Sequence, residues 1–260
     1  MRAPCPRLLF ALLSLVLPLR AVDLPAGYRL VENYSIDSGH SSLRLQLLLD
    51  THLTDDLVRD WWGTGRNLPD ASGSNDELGV KLHPTLVRLV NCHDRIVALH
   101  TFPRALAKLT PCPPLTRYGR PAFALSIDRS LTWGTYFGPA TFLFVPDATG
   151  LGEQAVVTNE QSRDIALTTS PRTRWQVIPS FDTCDIVEVT CATVVEFAQV
   201  HLDRPPDYTV SIRRFHLDHA GWHSSTTQRY GYRVDDTTDP DCWLQRILAE
   251  NKLSTSASTH

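Results

Sequence analysis

Apolar and polar residues alternate along much of the chain, in short runs separated by Pro, Gly, Asp and Ser. The clearest run places Leu43, Leu45, Leu47 and Leu49 two residues apart. Side chains two apart point to the same face of a strand, so this run predicts a strand with one buried face. Similar runs predict ten further strands, over residues 95–102, 122–128, 140–145, 154–158, 164–169, 175–178, 185–190, 193–202, 208–217 and 228–234.

About eleven short strands at this spacing predict a mainly β fold, an antiparallel β-sandwich. Alternating βαβ units would need helical patterns of roughly 10 to 15 residues between the strands, and the second half of the chain has no room for them. We therefore expect the sheets to be antiparallel and to pack face to face.

Two short helices are predicted beside the strands. The first, near residues 54–62, has Thr54 as N-cap and acidic residues in its first turn, with Leu53 and Val58 placed as a hydrophobic staple. The second is C-terminal and begins at Asp239-Pro240, since proline is favoured at the first helical position. Its apolar residues are expected to pack on a sheet, so truncation before Asp239 should destabilise the domain: Trp243, Leu244, Ile247, Leu248 and Leu253.

The N-terminus resembles a secretory signal peptide. Arg2 and Arg7 precede the apolar run 8–19, and small or apolar residues at Leu19 and Ala21 suit signal peptidase, which predicts removal of residues 1–21. The run is shorter than the ~20 residues of a membrane span. We expect one secreted β-sandwich domain over 22–253, a flexible tail over 254–260, a mobile loop over 63–77 and no membrane span.

Charge argues against nucleic-acid binding. Without the signal peptide the chain has 22 basic and 28 acidic residues, and the basic ones form no long cluster. The full chain has 22 arginines but only 3 lysines. Because GC-rich coding favours arginine codons, this skew is associated with large DNA viruses and with some cellular genomes.

Asn33-Tyr34-Ser35 is an acceptor triplet for N-glycosylation, close behind the predicted cleavage point. In a secreted chain we expect Asn33 to carry a glycan. The mature protein is therefore predicted to be a glycoprotein.

Five cysteines remain in the mature chain, so at least one thiol stays free, is modified or joins another chain. Cys184 and Cys191 are seven residues apart, which on one straight strand places them on opposite faces, so each needs a different partner. We expect Cys92 and Cys112 to pair with them in an order the sequence leaves open. Cys242, in the first turn of the second helix, is then the free or intermolecular cysteine.

Histidines and a carboxylate are concentrated between Arg214 and His223. The segment from His216 through Asp218 and His219 to Gly221 resembles the zinc-binding segment of metallo-β-lactamase-like hydrolases, H-x-H-x-D-H followed by Ala-Gly. That resemblance implies His216 and His219 as zinc ligands and Asp218 as a second-metal ligand. However, Arg214 stands where the family has its first histidine, and only His260 follows His223. A strand that ends in a polar turn with surface histidines is the favoured interpretation, with no metal.

Other enzyme motifs are missing from the sequence, including a Gly-x-Ser-x-Gly elbow, a glycine-rich phosphate loop and His-Glu-x-x-His. We therefore expect a protein-binding module rather than an enzyme, with no cofactor and with an extracellular or cell-surface protein as partner. A virus-encoded decoy for a host cytokine or chemokine is one form of this hypothesis, and a soluble subunit of a viral envelope complex is another. Aromatic residues are favoured at interfaces, and six are candidate contacts, although burial in the core is the alternative: Trp61, Trp62, Trp133, Tyr136, Phe137 and Trp222.

Overall fold

A computed structural model of the chain describes residues 23–37, 42–62, 74–75, 78–115, 119–128, 138–158, 161–169, 173–179, 183–193, 208–232, 246–247 and 249. Within these residues the chain is mainly β, with antiparallel sheets, which confirms the predicted class. The elements are, in chain order, β1 (Tyr28–Asp37), β2 (Ser42–Asp50), α1 (Asp55–Trp61), β3 (Ser74–Asn75), β4 (Val80–Lys81), β5 (Thr85–Asn91), β6 (Ile96–Phe102), β7 (Ala107–Cys112), β8 (Ala122–Ile127), β9 (Ala140–Phe144), β10 (Ala155–Thr158), β11 (Gln161–Asp164), β12 (Leu167–Thr168), β13 (Thr173–Pro179), β14 (Cys184–Thr193), β15 (Tyr208–Asp218) and β16 (Gly221–Tyr232).

The strands form three main sheets and one short ribbon. Sheet I has the order β1-β2-β5-β6, sheet II the order β12-β9-β8-β7, and sheet III the order β11-β10-β16-β15-β14-β13. The ribbon pairs β3 with β4. Neighbouring strands are antiparallel except β10 and β16, which meet in parallel at the single pair Val156 and Trp222.

Sheet II lies between the other two sheets, and strand β8 shows why. Phe123 and Leu125 point into a core that they share with the leucines of β2 in sheet I. Ala122 and Ala124 alternate with Phe123 and Leu125 along the strand, and they point into a second core shared with sheet III. Because alternate side chains of a strand point to opposite faces, both faces of sheet II are buried, and the fold is a sandwich of three β layers.

The far face of sheet III carries a third core. On β14, Cys184 and Ile186 point to sheet II, whereas Val187 and Val189 point away from it. Ile247, only 1% exposed, packs on this outer side. Residues 246–247 and 249 are helical, so the described part of the second predicted helix docks on a sheet as expected, while Trp243 and Leu248 lie outside the described residues.

Helix α1 begins where the sequence predicts. Thr54 is the N-cap, and its Oγ1 accepts a hydrogen bond from the Leu57 backbone N–H at 3.3 Å. Leu53 and Val58 both enter the first core, as the hydrophobic staple requires. The predicted first helix is therefore confirmed, with Trp62 as its C-cap.

Several strands are absent from the predicted set. Strand β5 is buried on both faces and its residues 86–90 are apolar apart from Arg88, so it lacks the alternation that marks a half-buried strand. Strand β1 is an edge strand in which a register shift between Leu30 and Glu32 interrupts the alternation, and β7 contains Pro111, which is unusual inside a strand. The structure therefore corrects the predicted total of about eleven strands to sixteen within the described residues.

Other predicted boundaries are also corrected. The run 164–169 is divided between the end of β11 and β12, and β16 starts at Gly221 rather than at 228. Within the predicted loop 63–77, Ser74–Asn75 forms a short strand with β4. The signal peptide, the rest of that loop and residues 194–202 of one predicted strand lie outside the described residues.

Candidate functional site

The candidate interaction surface lies at the edge of the face of sheet I that points away from the first core, called here the outer face of sheet I. On β2 it consists of the residues between the leucines that enter the core. The strand register aligns Asn33, Gln46, Arg88 and Leu99 in one row across the four strands. The flanking rows are Leu30, Leu48, Leu86 and Thr101 on one side, and Ser35, Arg44, Val90 and Ile96 on the other.

The edges of this face are apolar and exposed. Leu30 on β1 is 38% exposed, and Ile96 and Leu99 on β6 are 52% and 53% exposed. The centre is buried, with Leu48 and Val90 at 0% and Arg88 at 1% exposure. The apolar side chains of this face that a partner can reach are therefore at its two edges, on β1 and β6.

A chain of hydrogen bonds runs across the middle row. The Arg88 guanidinium donates from Nε to Gln46 Oε1 at 2.8 Å and from Nη1 to the Asp23 carbonyl at 3.4 Å. Burial, together with the neighbouring Arg44, lowers the pKa of Arg88. Since Gln46 uses its oxygen toward Arg88, its amide Nε2 faces Asn33 and donates to Asn33 Oδ1 at 3.2 Å.

Asn33, the predicted glycosylation site, is exposed on edge strand β1. The bond from Gln46 occupies Asn33 Oδ1 and leaves Nδ2, the atom that carries an N-glycan, directed away from that contact. The next residue, Tyr34, is held on the other side, where its hydroxyl lies 3.0 Å from the Glu32 carboxylate and 3.1 Å from the Leu109 carbonyl and can donate to either. The folded strand is thus compatible with a glycan on Asn33.

The hairpin between β5 and β6 is held in a defined shape next to the exposed apolar residues. Asn91 Oδ1 accepts hydrogen bonds from the backbone N–H groups of His93 and Arg95 at 2.9 and 3.0 Å. Asp94 has a φ of 61° and forms an ion pair with Arg44. Strand β6 therefore starts from a fixed turn, and it is an edge strand of sheet I.

The predicted aromatic contact residues are largely core residues where the structure describes them. Trp61 is 4% exposed in the first core, and Trp222 is 5% exposed in the second, with its Nε1 donating to Gln154 at 3.0 Å. Their prediction as contact residues is corrected, because buried rings cannot reach a partner. Trp62 is half-buried, with Lys108 Nζ 4.4 Å from its ring centre. The other three predicted contacts lie outside the described residues: Trp133, Tyr136 and Phe137.

The predicted histidine cluster lies on the hairpin of β15 and β16. His216 Nδ1 is 2.7 Å from Asp185, and directly opposite on β16 stands His223, 3.2 Å from Asp218. His219 is exposed on the turn, where the Ala220 N–H donates to Asp218 and contributes to the lowered pKa of that carboxyl. Among the described residues, no group of three or more His, Cys, Asp or Glu is arranged to hold a metal ion. The resemblance to metallo-β-lactamase-like hydrolases thus gains no geometric support.

A second cluster, which the sequence did not indicate, surrounds Asp50 at the end of β2. Its carboxylate is fully buried and accepts four hydrogen bonds, from the backbone N–H and ring Nδ1 of His52 and of His83, at 2.6 to 2.8 Å. Tyr28 packs on the His83 ring, with the ring centroids 5.2 Å apart. Burial and the Asp50 carboxylate raise the pKa of Tyr28. Asp50 joins the turn after β2 to the segment before β5, so it is a structural anchor.

The cysteines occupy three different environments. Cys184 is fully buried in the second core, and half-buried Cys112 packs against the same core. Cys191 belongs to the third core, which confirms that it and Cys184 point to opposite faces of one strand. Cys92 is exposed on the hairpin of sheet I, with sheet II between it and Cys184 or Cys191, so the predicted pairing of Cys92 with either one is not supported. No bond joins Cys112 to Cys184 in the structure, and Cys242 lies outside the described residues.

The prediction from sequence missed Ile96 and Leu99 as contact residues. A signal was present in the sequence, because residues 96–99 are apolar at every position, which is more than one buried face of an edge strand needs.

No described helix is both long enough and apolar enough to cross a bilayer. Comparison with known proteins found no match to a family model, a curated protein or a solved structure.

Proposed function

We propose that the mature chain is a secreted glycoprotein that binds another protein through edge strand β6 and its exposed apolar residues. The observation that carries the proposal is the exposure of Ile96 and Leu99 on an edge strand. Leaving such side chains in water is costly, since burial of a Leu or Ile side chain is worth about 1.5 to 3 kcal/mol. A strand with this exposure is a template for pairing with another chain.

The two edges of sheet I differ in a way that supports β6 as the binding edge. Edge strand β1 carries the acceptor triplet at Asn33, and a glycan there would block the approach of another strand. Strand β6 has no acceptor triplet and presents apolar side chains instead. The glycan would therefore direct association to β6.

The partner is an extracellular protein with an extended segment or sheet edge, and with apolar side chains that contact Ile96 and Leu99. In β-strand addition, main-chain hydrogen bonds supply affinity, and side-chain contacts on one face supply specificity. A host cytokine or chemokine would make the chain a decoy, whereas a membrane-associated viral glycoprotein would make it an envelope subunit.

The proposal is tested by capture of partners from host serum and cell surfaces, followed by affinity measurement with the purified partner. The variant replaces Ile96 and Leu99 together by Asp, and the matched control is Ser225→Asp on an exposed position of sheet III. We expect the double variant to lose at least about tenfold in affinity, because each Asp buries an unpaired charge against apolar partner groups. The control should bind as the wild type does.

Three outcomes would overturn the proposal. The first is a purified partner that binds the double variant as tightly as wild type. The second is an equal loss of binding in the Ser225→Asp control, and the third is the absence of any partner other than a second copy of this chain. Circular dichroism and secretion level of each variant show that the fold is retained.

A further inference from the structure

Cys112 and Cys184 approach the second core from opposite sheets. Cys112 ends β7 and stands directly opposite Ala122, a fully buried residue of that core. Cys184 begins β14 and stands opposite Leu217, which packs against the same core. Directly opposed residues of an antiparallel pair share a face, so both thiols lie on the inward faces of sheets II and III.

The surroundings favour this pair over the other combinations. Cys191 is excluded because it lies on the other face of β14, in the third core. Cys92 is exposed on sheet I and is separated from the second core by sheet II. Ala122 and Ala124, which lie on the same face of sheet II as Cys112, belong to the same core as Cys184.

We propose that Cys112 and Cys184 form a disulfide that ties sheet II to sheet III in the secreted protein. This inference rests on the predicted secretory route and is independent of the β6 binding surface. Each thiol loses its hydrogen as the sulfur–sulfur bond forms. The two electrons and two protons pass to a disulfide of an oxidoreductase or of glutathione, which is reduced to two thiols.

Burial determines when this bond forms. It raises the pKa of Cys112 to about 12, and burial, together with Asp185 and Cys112, raises the pKa of Cys184 to about 12. Because the thiolate is the reactive form, two such thiols exchange slowly once the core has closed. The bond therefore forms during folding, and afterwards the core protects it from reduction.

Peptide mapping of the wild-type protein tests the pairing. The protein is secreted from a eukaryotic cell line, acidified at harvest, alkylated in denaturant and digested without reduction. We expect the peptide with Cys112 to be linked to the peptide with Cys184. Alkylation of either residue, or a link from either one to Cys92, Cys191 or Cys242, would overturn the inference.

Thermal unfolding of alanine variants provides a second test. Cys112→Ala, Cys184→Ala and the double variant each remove the same bond, so all three should lower Tm by a similar amount, about 10 °C for a loop of roughly 70 residues. Cys92→Ala is the control, and its Tm should be unchanged. Additive Tm losses in the double variant would contradict a shared bond. If a variant is not secreted, the peptide map of the wild-type protein still decides whether Cys112 and Cys184 are bonded. That result does not depend on whether the double Asp variant of β6 binds a partner.

Discussion

Replacing Asp50 by Asn should remove a large part of the stability of sheet I. The wild-type carboxylate is fully buried, with Oδ1 accepting both donors of His52 and Oδ2 accepting both donors of His83. An asparagine retains one acceptor oxygen, and its amide nitrogen replaces the other. The His83 backbone N–H, 2.7 Å from Oδ2, then faces a donor instead of an acceptor.

The expected loss follows from these contacts. A buried donor left without an acceptor costs about 1 to 3 kcal/mol, and hydrogen bonds to a charged group are stronger than those to a neutral one. The orphaned N–H and the lost charge together predict destabilisation by about 3 kcal/mol. Rotating the asparagine amide by half a turn does not restore stability, because the backbone N–H of His52 then lacks an acceptor instead.

Urea denaturation of the wild type, Asp50→Asn and Asp55→Asn measures this loss. Asp55 is the matched control because its carboxylate is 85% exposed and pairs with Arg29 at 2.8 Å. An exposed pair of this kind contributes less than about 1 kcal/mol. A free energy of unfolding for Asp50→Asn within about 0.5 kcal/mol of wild type, or equal to that of Asp55→Asn, would refute the reasoning.

The same site predicts a pH dependence. Burial acts to raise the pKa of Asp50, but the hydrogen bonds donated by His52 and His83 outweigh it and lower the pKa below its ordinary value of 3.8. The contribution of the ionised form is therefore complete above the unfolded-state pKa and is lost as the pH falls through the lower folded-state pKa. Asp50→Asn should show a weaker loss of stability below about pH 4 than the wild type does. Parallel acid-unfolding curves would contradict this assignment.

Two further pairs of substitutions, each a buried residue with its control, test the packing of the helices. Trp61→Ala should lower the free energy of unfolding by about 3 to 5 kcal/mol, because the ring is 4% exposed. Trp62 is half-buried, so Trp62→Ala should lower it less. Equal losses of the two variants in urea denaturation would contradict this difference. Ile247→Ala should cost about 2 to 5 kcal/mol, because its side chain is 1% exposed in the third core, while Ala249→Gln, at an exposed helical position, should cost under about 0.5 kcal/mol. An unchanged Tm for Ile247→Ala would show that the C-terminal helix does not stabilise sheet III.

Local patterns in the sequence predicted α1 and many of the strands because their signals are contained in a few adjacent residues. The Thr54 cap and the alternating leucines of β2 are examples. Strand β5 could not be distinguished in this way, since both of its faces are buried and its residues 86–90 are apolar apart from Arg88, without alternation of apolar and polar positions. The Asp50 anchor was also hidden, because His83 is 33 residues away from it in the chain.

The sequence by itself determined the mainly β class, the start of α1 and the opposite orientation of Cys184 and Cys191, since each depends on the period of a strand or on the chemistry of a helix end. Only the tertiary structure decided that Trp61 and Trp222 are core residues and that Ile96 and Leu99 are exposed. Whether an apolar side chain is covered depends on which sheets pack against its strand, and that is set by contacts between distant segments. The same holds for the cysteines, because the packing of sheet II against sheet III, rather than their spacing in the chain, brings Cys112 and Cys184 into one core.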